Sequence, residues 1–443
     1  MNYRIHYSLN KHFPKLGWLA CLEQERGLIS VVHGSSVECR DDWMVEGVWD
    51  DDFELGNFHR RENFFGSGMR VETNAVYFVS STALTDRLLY CEENARFLCS
   101  NSLILLLAAT GATPDGNHDY HREALSIMRE GIKKYDRRFA IIHPRVNCFY
   151  QVFHENIVLS NGQVWFQRRS KRHRMDSFDQ YYGLLKEILT RIKHNYESEA
   201  RKIPVAVFTT LSSGYDSTAV SCLAKTLGVK TCFTGNALER RLRFMKRNRE
   251  NGTPIAKSLG LEIKYLDNRR ASVSEDELYF LATNYPKFSH SVWSELSLHS
   301  MTSYIERNCF AAIVFTGYHG GLIWEANAED KYVSDELKKY GALSGLNLTE
   351  IRLKSGFIQL AVPYIMARDI EDIVGVSRSR EMEPWRLNNS YDRPIPRRIA
   401  EESGVNRRLL GMKKKHITQT YLWPRNPRLR RQFFEYLKEN YGV

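Results

Sequence analysis

The sequence predicts a mixed α/β protein in two parts, a β-rich first half and a second half built on a parallel sheet. Short β-type runs separated by turn residues fill the chain up to about residue 172. After that point strands alternate with helices, as in βαβ units wound around both faces of a sheet. A chain of 443 residues is long enough for at least two domains that each bury a core.

The first half, residues 1–172, is predicted to hold antiparallel strands and few helices. Its β-type runs cover residues 27–32, 75–79, 96–99, 156–159 and 164–166. Residues 102–109 are the clearest helix candidate. The polar, basic run at 168–174 is typical of a linker, so the domain boundary is placed there.

The second half, residues 173–443, is predicted to form a doubly wound parallel sheet. It opens with a helix, because Ser177 and Gln180 form a capping box and apolar residues recur at helical spacing up to Tyr196. The predicted strands, separated by helices, are 205–208, 230–234, 261–266 and 312–315. Ligands of such sheets bind in the crevice outside the carboxyl ends of the strands.

Composition and charge limit the partners, the cysteine sites and the cellular location that we expect for the protein. The excess of 63 Lys+Arg over 52 Asp+Glu gives a formal net charge of +11, which suits a nucleotide or nucleic acid as a partner. The 8 cysteines are scattered without ligand spacing, so neither a zinc site nor a disulfide scaffold is predicted. The sequence has no long apolar run and no signal-peptide pattern, so we expect a cytoplasmic protein without membrane contact.

The connection between the first strand and the first following helix of that sheet is the strongest site candidate. Its residues are Leu211, Ser212, Ser213, Gly214, Tyr215, Asp216, Ser217 and Thr218. Such a turn joins backbone N–H groups to the positive end of a helix and therefore favours anions. The hydroxyls and the acid suit a pyrophosphate and its metal ion. The alternative is an ordinary turn capped by Asp216 or Ser217.

This loop resembles the S-G-G-x-D-S pyrophosphate loop of the ATP-pyrophosphatase (PP-loop) superfamily, with Ser213 replacing the first glycine of the pair. From residues 81–90 and 96–100 onward, the order of elements is similar to that of the asparagine synthetase family. That family joins a glutaminase domain of the Ntn-hydrolase fold to a synthetase domain. The resemblance implies an Ntn-type αββα domain at 1–172 and a PP-loop ATP-pyrophosphatase domain at 173–443.

The same resemblance implies ATP and Mg²⁺ as cofactors, with Asp216 as a metal ligand. Thr234 and Gly235, and Gly317 after a later strand, join the loop as cofactor-binding residues. The family's second metal-binding acid corresponds to Gly321, so one ligand is missing. The acids considered as replacements are Glu325, Glu329 and Asp330.

The family's glutaminase depends on an N-terminal cysteine whose own amine assists as a base. This sequence begins Met1-Asn2, and its first cysteine is Cys21. We therefore expect a degenerate first domain without glutaminase activity. The chain then resembles β-lactam synthetase and the lasso-peptide cyclases, which use a substrate amine.

Residues 315–321 are similar to the family segment T-G-E-G-x-D-E, with Tyr318 where β-lactam synthetase also has tyrosine. Glu350, thirteen residues before Pro363, corresponds to the family's next acid. The resemblance implies a catalytic dyad of Tyr318 and Glu350 that takes the proton of the attacking amine. The alternatives are a buried tyrosine with a satisfied hydroxyl and an exposed helix glutamate. His319 is a candidate for substrate or phosphate contact, or a solvated turn histidine.

Three consecutive lysines at 413–415 occupy the family's last landmark, where a lysine contacts pyrophosphate and the acyl-adenylate. We assign Lys413 as catalytic and Lys414 as cofactor-binding. The alternative is a solvated basic tail.

The resemblance therefore implies an ATP-dependent, AMP-forming amide ligase that acts in the biosynthesis of a specialised metabolite or modified peptide. It would adenylate a small-molecule or peptide carboxylate and couple it to an amine or ammonia. The alternatives are a PP-loop enzyme acting on tRNA or another polyanion, and a degenerate nucleotide-binding protein. The identities of the substrates and the choice between cyclisation and ligation stay open, and a homodimer is compatible with the sequence.

Overall fold

The structure, a computed structural model, describes residues 3–113, 115, 118, 126–169, 173–235, 251–266, 292–339 and 345–411, without the side chains of 292–299 and 347. Its strands are β1 (Arg4–Leu9), β2 (Trp18–Glu23), β3 (Leu28–His33), β4 (Glu38–Cys39), β5 (Trp43–Trp49), β6 (Phe64–Glu72), β7 (Ala75–Val79), β8 (Leu88–Glu93), β9 (Arg96–Ser100), β10 (Arg138–Ala140), β11 (Cys148–Val152), β12 (Glu155–Ser160), β13 (Gln163–Arg168), β14 (Val205–Thr210), β15 (Thr231–Gly235), β16 (Glu262–Leu266), β17 (Ala311–Thr316) and β18 (Phe357–Ala361). Its helices are α1 (Leu103–Thr110), α2 (Phe178–Tyr196), α3 (Tyr215–Thr226), α4 (Thr253–Leu259), α5 (Val292–Asn308), α6 (Gly320–Ile323), α7 (Thr349–Ser355), α8 (Ile370–Arg378) and α9 (Pro394–Glu402).

The first half folds into two sheets. One has the strand order β1-β3-β2-β9-β8-β11-β10, with β1 parallel to β3 and the other neighbours antiparallel. The other has the order β13-β12-β7-β6-β5-β4 with antiparallel neighbours. The predicted antiparallel-rich first half is confirmed.

These two sheets pack face to face around an apolar core. Strand β2 alternates buried with half-buried residues, and its buried Trp18 and Leu22 share a cluster with Met69 and Phe78 of the facing sheet. Helix α1 covers the outer face of the seven-stranded sheet. An aromatic cluster around Trp49, together with α2, covers the outer face of the six-stranded sheet.

The second half contains a parallel sheet of five strands in the order β16-β15-β14-β17-β18. Its faces are both covered: Phe208 and Val314 pack against Ile305 of α5, whereas Ile313 shares a cluster with Leu223 of α3. The strand order reverses between β14 and β17. In such sheets this switch point opens a crevice at the carboxyl ends of the strands.

A buried salt-bridge network joins the two halves through α7. The Arg352 guanidinium donates to both carboxylate oxygens of Glu46, at 2.8 and 3.1 Å, and to Asp86 Oδ1 at 3.0 Å. The side chains of Arg352 and Glu46 are 1% and 0% exposed. Arg352 also donates to the Phe357 carbonyl at 3.2 Å, which ties the network to the first residue of β18.

Two residues of the first half also cap the C-terminal end of α5. Lys15 Nζ donates to the carbonyls of Glu306 and Cys309 at 2.6 and 2.9 Å. A cation suits this position because the last carbonyls of a helix are unpaired and carry partial negative charge. Ser36 adds a hydrogen bond from its hydroxyl to the Phe310 carbonyl at 2.7 Å.

The basic run predicted as a linker begins inside the fold. Arg168 is the last residue of β13, and Arg169 is buried and donates to the Ser80 carbonyl at 2.6 Å. The first-half sheet therefore extends through the start of this run, and residues 170–172 lie outside the described residues. Among the helices that the structure describes, none combines the length and apolar character needed to cross a bilayer.

Replacing Arg352 with methionine should lower the free energy of unfolding by about 3–5 kcal/mol, because two buried carboxylates lose their cation. Chemical denaturation followed by circular dichroism measures the loss. Arg26→Met is the control, since the Arg26 side chain is 75% exposed in its pair with Glu23 and should change stability by less than about 1 kcal/mol. Equal effects of the two substitutions would contradict a central role for the buried network.

Candidate active site at the switch point of the parallel sheet

The loop after β14 enters the crevice and ends at the first turn of α3. Gly214 is the N-cap residue, with an extended backbone at φ −74° and ψ 152°. The first N–H groups of a helix have no partner within the helix, and they carry its positive end. This end of α3 therefore favours an anion, as the sequence predicts.

Side-chain hydroxyls hold the loop in shape. The hydroxyls of Ser212 and Ser217 are 2.7 Å apart, and Ser217 Oγ accepts from the Ser212 N–H at 3.1 Å. Gly214 N–H donates to Ser212 Oγ at 3.1 Å, and the Thr218 hydroxyl donates to the Gly214 carbonyl at 2.8 Å. Ser212 and Ser217 of the predicted pyrophosphate loop therefore fix its backbone.

The end of β17 packs directly on the first turn of α3, and glycines make this approach possible. A Cβ atom on Gly317 would lie 2.6 Å from the Asp216 carbonyl carbon and 2.7 Å from the Ser217 nitrogen. A Cβ atom on Gly320 would lie 2.7 Å from both carboxylate oxygens of Asp216. The two motifs singled out in the sequence thus meet at one place.

The ends of the neighbouring elements lie at the same edge of the sheet. Leu211 N–H donates to the Phe233 carbonyl at 2.9 Å, which ties the loop to β15. Thr234 Oγ1 accepts from the Gly252 N–H at 2.9 Å, and Gly235 is the last residue of β15. Leu211, Thr234 and Gly235 therefore lie together at this edge of the sheet.

Arg393, which sequence reasoning missed, lies at the centre of the site. Its guanidinium forms an ion pair with Asp216 and another with Glu325, whose Oε2 is 3.2 Å from Arg393 Nε. Side-chain exposure is 6% for Arg393 and 15% for Asp216. Burial acts to lower the pKa of Arg393, but the carboxylates of Asp216 and Glu325 outweigh it and raise the pKa above its usual value.

The residues before Arg393 fix its position. The Tyr391 ring stacks on Tyr215 with 5.0 Å between ring centroids. The carboxylate of buried Asp392 accepts from Arg386 Nε at 3.0 Å and from the Leu387 N–H at 2.9 Å. No local pattern in the sequence identifies this cation, because Arg393 lies 177 residues after Asp216.

The residues around Asp216 do not fit a resident Mg²⁺. Asp216, the predicted metal ligand, is paired with Arg393, and so is Glu325. The other proposed replacements are paired elsewhere, Glu329 with Lys331 at 2.6 Å and Asp330 with Arg378 at 2.7 Å. In the described part of the chain, no three His, Cys, Asp or Glu residues are grouped to hold a metal.

Tyr318 and His319 follow β17 into the crevice. Their rings stack with 4.3 Å between centroids, and His319 Nδ1 is 2.6 Å from the Tyr364 hydroxyl. His319 has a left-handed backbone, at φ 62° and ψ 15°. This region is uncommon for a non-glycine residue, although histidine adopts it more readily than most.

Glu350 does not form the predicted dyad with Tyr318. Its carboxylate accepts from the Ser102 hydroxyl at 2.7 Å and from the Leu103 N–H at 2.8 Å, at the N-terminus of α1. It is also buried at 3% exposure, rather than exposed on a helix. The favourable position of an acid at a helix N-terminus explains this placement, which sequence spacing cannot reveal.

Lys413 and Lys414 lie outside the described residues. The last described residue, Gly411, donates its N–H to the Ser213 carbonyl at 2.7 Å. The chain therefore returns to the loop after β14 two residues before Lys413.

Gly317→Ala should lower the free energy of unfolding by about 1–3 kcal/mol, because the new methyl group meets backbone atoms of α3 that cannot yield. Gly375→Ala is the control. Gly375 lies at an exposed position of α8, where a Cβ atom would have no neighbouring atom within 4 Å. Alanine there should leave stability unchanged or raise it by up to about 1 kcal/mol. Urea unfolding measures both, and a neutral Gly317→Ala variant would contradict the close approach.

Glu350 should make stability depend on pH. Burial raises the pKa of Glu350 to about 7, against smaller opposing effects of its hydrogen bonds and of Arg87. A carboxyl with a higher pKa in the folded chain binds a proton on folding, so its contribution is present at low pH and is lost as the pH rises to about 7. Between pH 5 and pH 8 the wild type should lose about 2–3 kcal/mol through this group. Glu350→Gln, whose single amide oxygen can still accept from the Leu103 N–H, should flatten that part of the profile, and an unchanged profile would contradict the assignment.

No family model matches the sequence, and no curated protein matches it. Among solved structures, 22 chains match. One is described as the structure of the allosteric regulatory enzyme of purine biosynthesis. It is 8% identical to this chain with a TM-score of 0.15, and the match covers 76% of this chain and 66% of that one, just under two thirds. A likeness at this TM-score and identity establishes neither fold nor function.

Proposed function

We propose that the protein is a cytoplasmic, ATP-dependent, AMP-forming amide ligase of the PP-loop type. It adenylates a substrate carboxylate and joins the acyl group to an amine or ammonia. The observation that carries the proposal is the contact between the loop after β14 and the end of β17. That contact brings the N-terminus of α3, the glycine-lined end of β17 and the Tyr318–His319 pair together at the switch point of the sheet.

In this proposal the phosphates of ATP lie at the N-terminus of α3, and the nucleoside lies beside Leu211, Thr234 and Gly235. A carboxylate oxygen of the substrate attacks the α-phosphorus, and the bond to the leaving pyrophosphate breaks. The amine then attacks the acyl carbon, and the bond to AMP breaks. Lys413 and Lys414 neutralise charge on the pyrophosphate and on the acyl-adenylate.

The amine must lose a proton when it becomes an amide, and His319 is the group we propose to accept it. In the tautomer with the proton on Nδ1, His319 donates to the Tyr364 oxygen and presents Nε2 as the acceptor. Tyr318 orients the imidazole by stacking on it. Glu350, which the sequence suggested for this step, is engaged at α1 instead.

We further propose that the first half is a degenerate Ntn-type domain without glutaminase activity. The layering of α1, two face-to-face sheets and α2 supports this. Cys21 lies inside β2, and burial raises the pKa of its thiol. A thiol of raised pKa is a poor nucleophile at neutral pH. Ammonia or an amine therefore has to come from solution or from the second substrate.

A second candidate function is nucleotide binding without turnover. The ion pair of Asp216 with Arg393 favours it, because the acid that the family uses for its metal is already neutralised. The ligase would convert ATP to AMP and pyrophosphate, whereas the second candidate would bind ATP and leave it intact. A tRNA or other polyanion as the acceptor would instead show itself as binding that weakens steeply with salt.

Incubating the protein with ATP and a metabolite extract should release AMP and pyrophosphate, which chromatography measures. Asp216→Asn and Lys413→Ala should each lower AMP formation by about 100-fold or more, because the first removes the carboxylate that holds Arg393 beside the reacting phosphates and the second removes a positive charge there. Glu187→Gln on the exposed face of α2 is the matched control and should leave the rate unchanged. Undiminished AMP formation in the Asp216 variant would contradict the scheme, and ATP that binds but stays intact would favour the second candidate.

A further inference from the structure

The salt-bridge cluster around Arg393 has a composition unlike that of a divalent-cation site. Asp216 and Glu325 contribute two carboxylates, and the Arg393 guanidinium contacts both. Lys339 adds a second cation, because its Nζ donates to the Gly321 carbonyl, and its charge acts on Glu325. Among the residues that the structure describes, this cluster therefore holds two positive charges against two negative ones, and little net charge is left to attract a metal ion.

Gly321 allows the guanidinium to occupy this place. A Cβ atom on Gly321 would lie 2.9 Å from Arg393 Cζ and still closer to Nη2. A side chain at 321 and the Arg393 guanidinium in its present position therefore compete for the same space. Glycine at 321, where the family has an acid, leaves the space that the Arg393 guanidinium fills.

We propose that Arg393 is the resident cation of this site and replaces a protein-bound divalent cation beside Asp216. This inference rests on the proposed binding of phosphates at the N-terminus of α3. The guanidinium offsets the repulsion between Asp216 and a bound polyphosphate. Nε and Nη1 bind the carboxylates, which leaves the N–H groups of Nη2 as donors for a phosphate oxygen.

The first test measures binding of inorganic pyrophosphate to the full chain by calorimetry, once with EDTA and once with Mg²⁺. We expect the two dissociation constants to agree within about threefold, a difference of less than about 1 kcal/mol. Mn²⁺ alone should show no binding by electron paramagnetic resonance. A tenfold or larger gain in pyrophosphate affinity with Mg²⁺, or a bound Mn²⁺ in the wild type, would overturn the proposal.

The second test removes the Arg393 guanidinium and then introduces a carboxylate that can bind a divalent cation in its place. Arg393→Met should weaken pyrophosphate binding in EDTA by about tenfold or more, whereas Arg393→Lys, which keeps the charge but not the fork of donors, should weaken it less than Arg393→Met does. The double variant Gly321→Asp, Arg393→Met should bind Mn²⁺ and should need Mg²⁺ for pyrophosphate. Equal binding by wild type and Arg393→Met in EDTA would overturn the proposal. If Arg393→Met fails to fold, the binding of pyrophosphate by Arg393→Lys still tests the proposal. The comparison of wild-type binding in EDTA and in Mg²⁺ tests it as well.

The outcomes separate this inference from the proposed function. Metal-independent pyrophosphate binding without any AMP formation would contradict the ligase and leave the role of Arg393 standing. AMP formation together with strictly Mg²⁺-dependent pyrophosphate binding would support the ligase and overturn the role of Arg393. Absence of pyrophosphate binding under every condition would overturn both.

Discussion

The buried contact of Arg352 with Glu46 and Asp86 is the constraint on which the rest of the structure depends. It removes three charges from water, and such a network is tolerated only when each charge is paired with good geometry. Arg352 also holds the Phe357 carbonyl at the start of β18, and β18 pairs with β17. The position of the crevice therefore follows from a chain of contacts that begins in the first half.

Local sequence predicts much of this architecture, because the strands and helices depend on neighbouring residues. Alternation, capping and turn residues identify α2, β14 and the loop at Gly214, and the βαβ order places that loop at a switch point. The positions of Glu350 and Arg393 depend on partners far away in the chain. Arg393 meets an acid 177 residues earlier, and no periodicity in the sequence encodes such a pairing.

Several of the basic residues have structural roles that the net charge alone does not show. Arg169, Arg352 and Arg393 are buried, and each binds acids or carbonyls of the chain itself. The acids that Arg352 and Arg393 bind are counted in the same balance, so these pairs take nothing from the net charge of +11. Steering of anions toward the crevice therefore depends on the other basic residues and on the end of α3.

The long sequence separation within the Arg352 network affects how the protein is made. Asp86 leaves the ribosome 266 residues before Arg352 does, which at usual rates of translation is roughly 10–50 s. During that interval Glu46 and Asp86 lack their cation, so the seven- and six-stranded sheets cannot yet enclose those two acids in their final surroundings. The first half therefore matures only when α7 arrives, and synthesis of the second half completes the folding of the first.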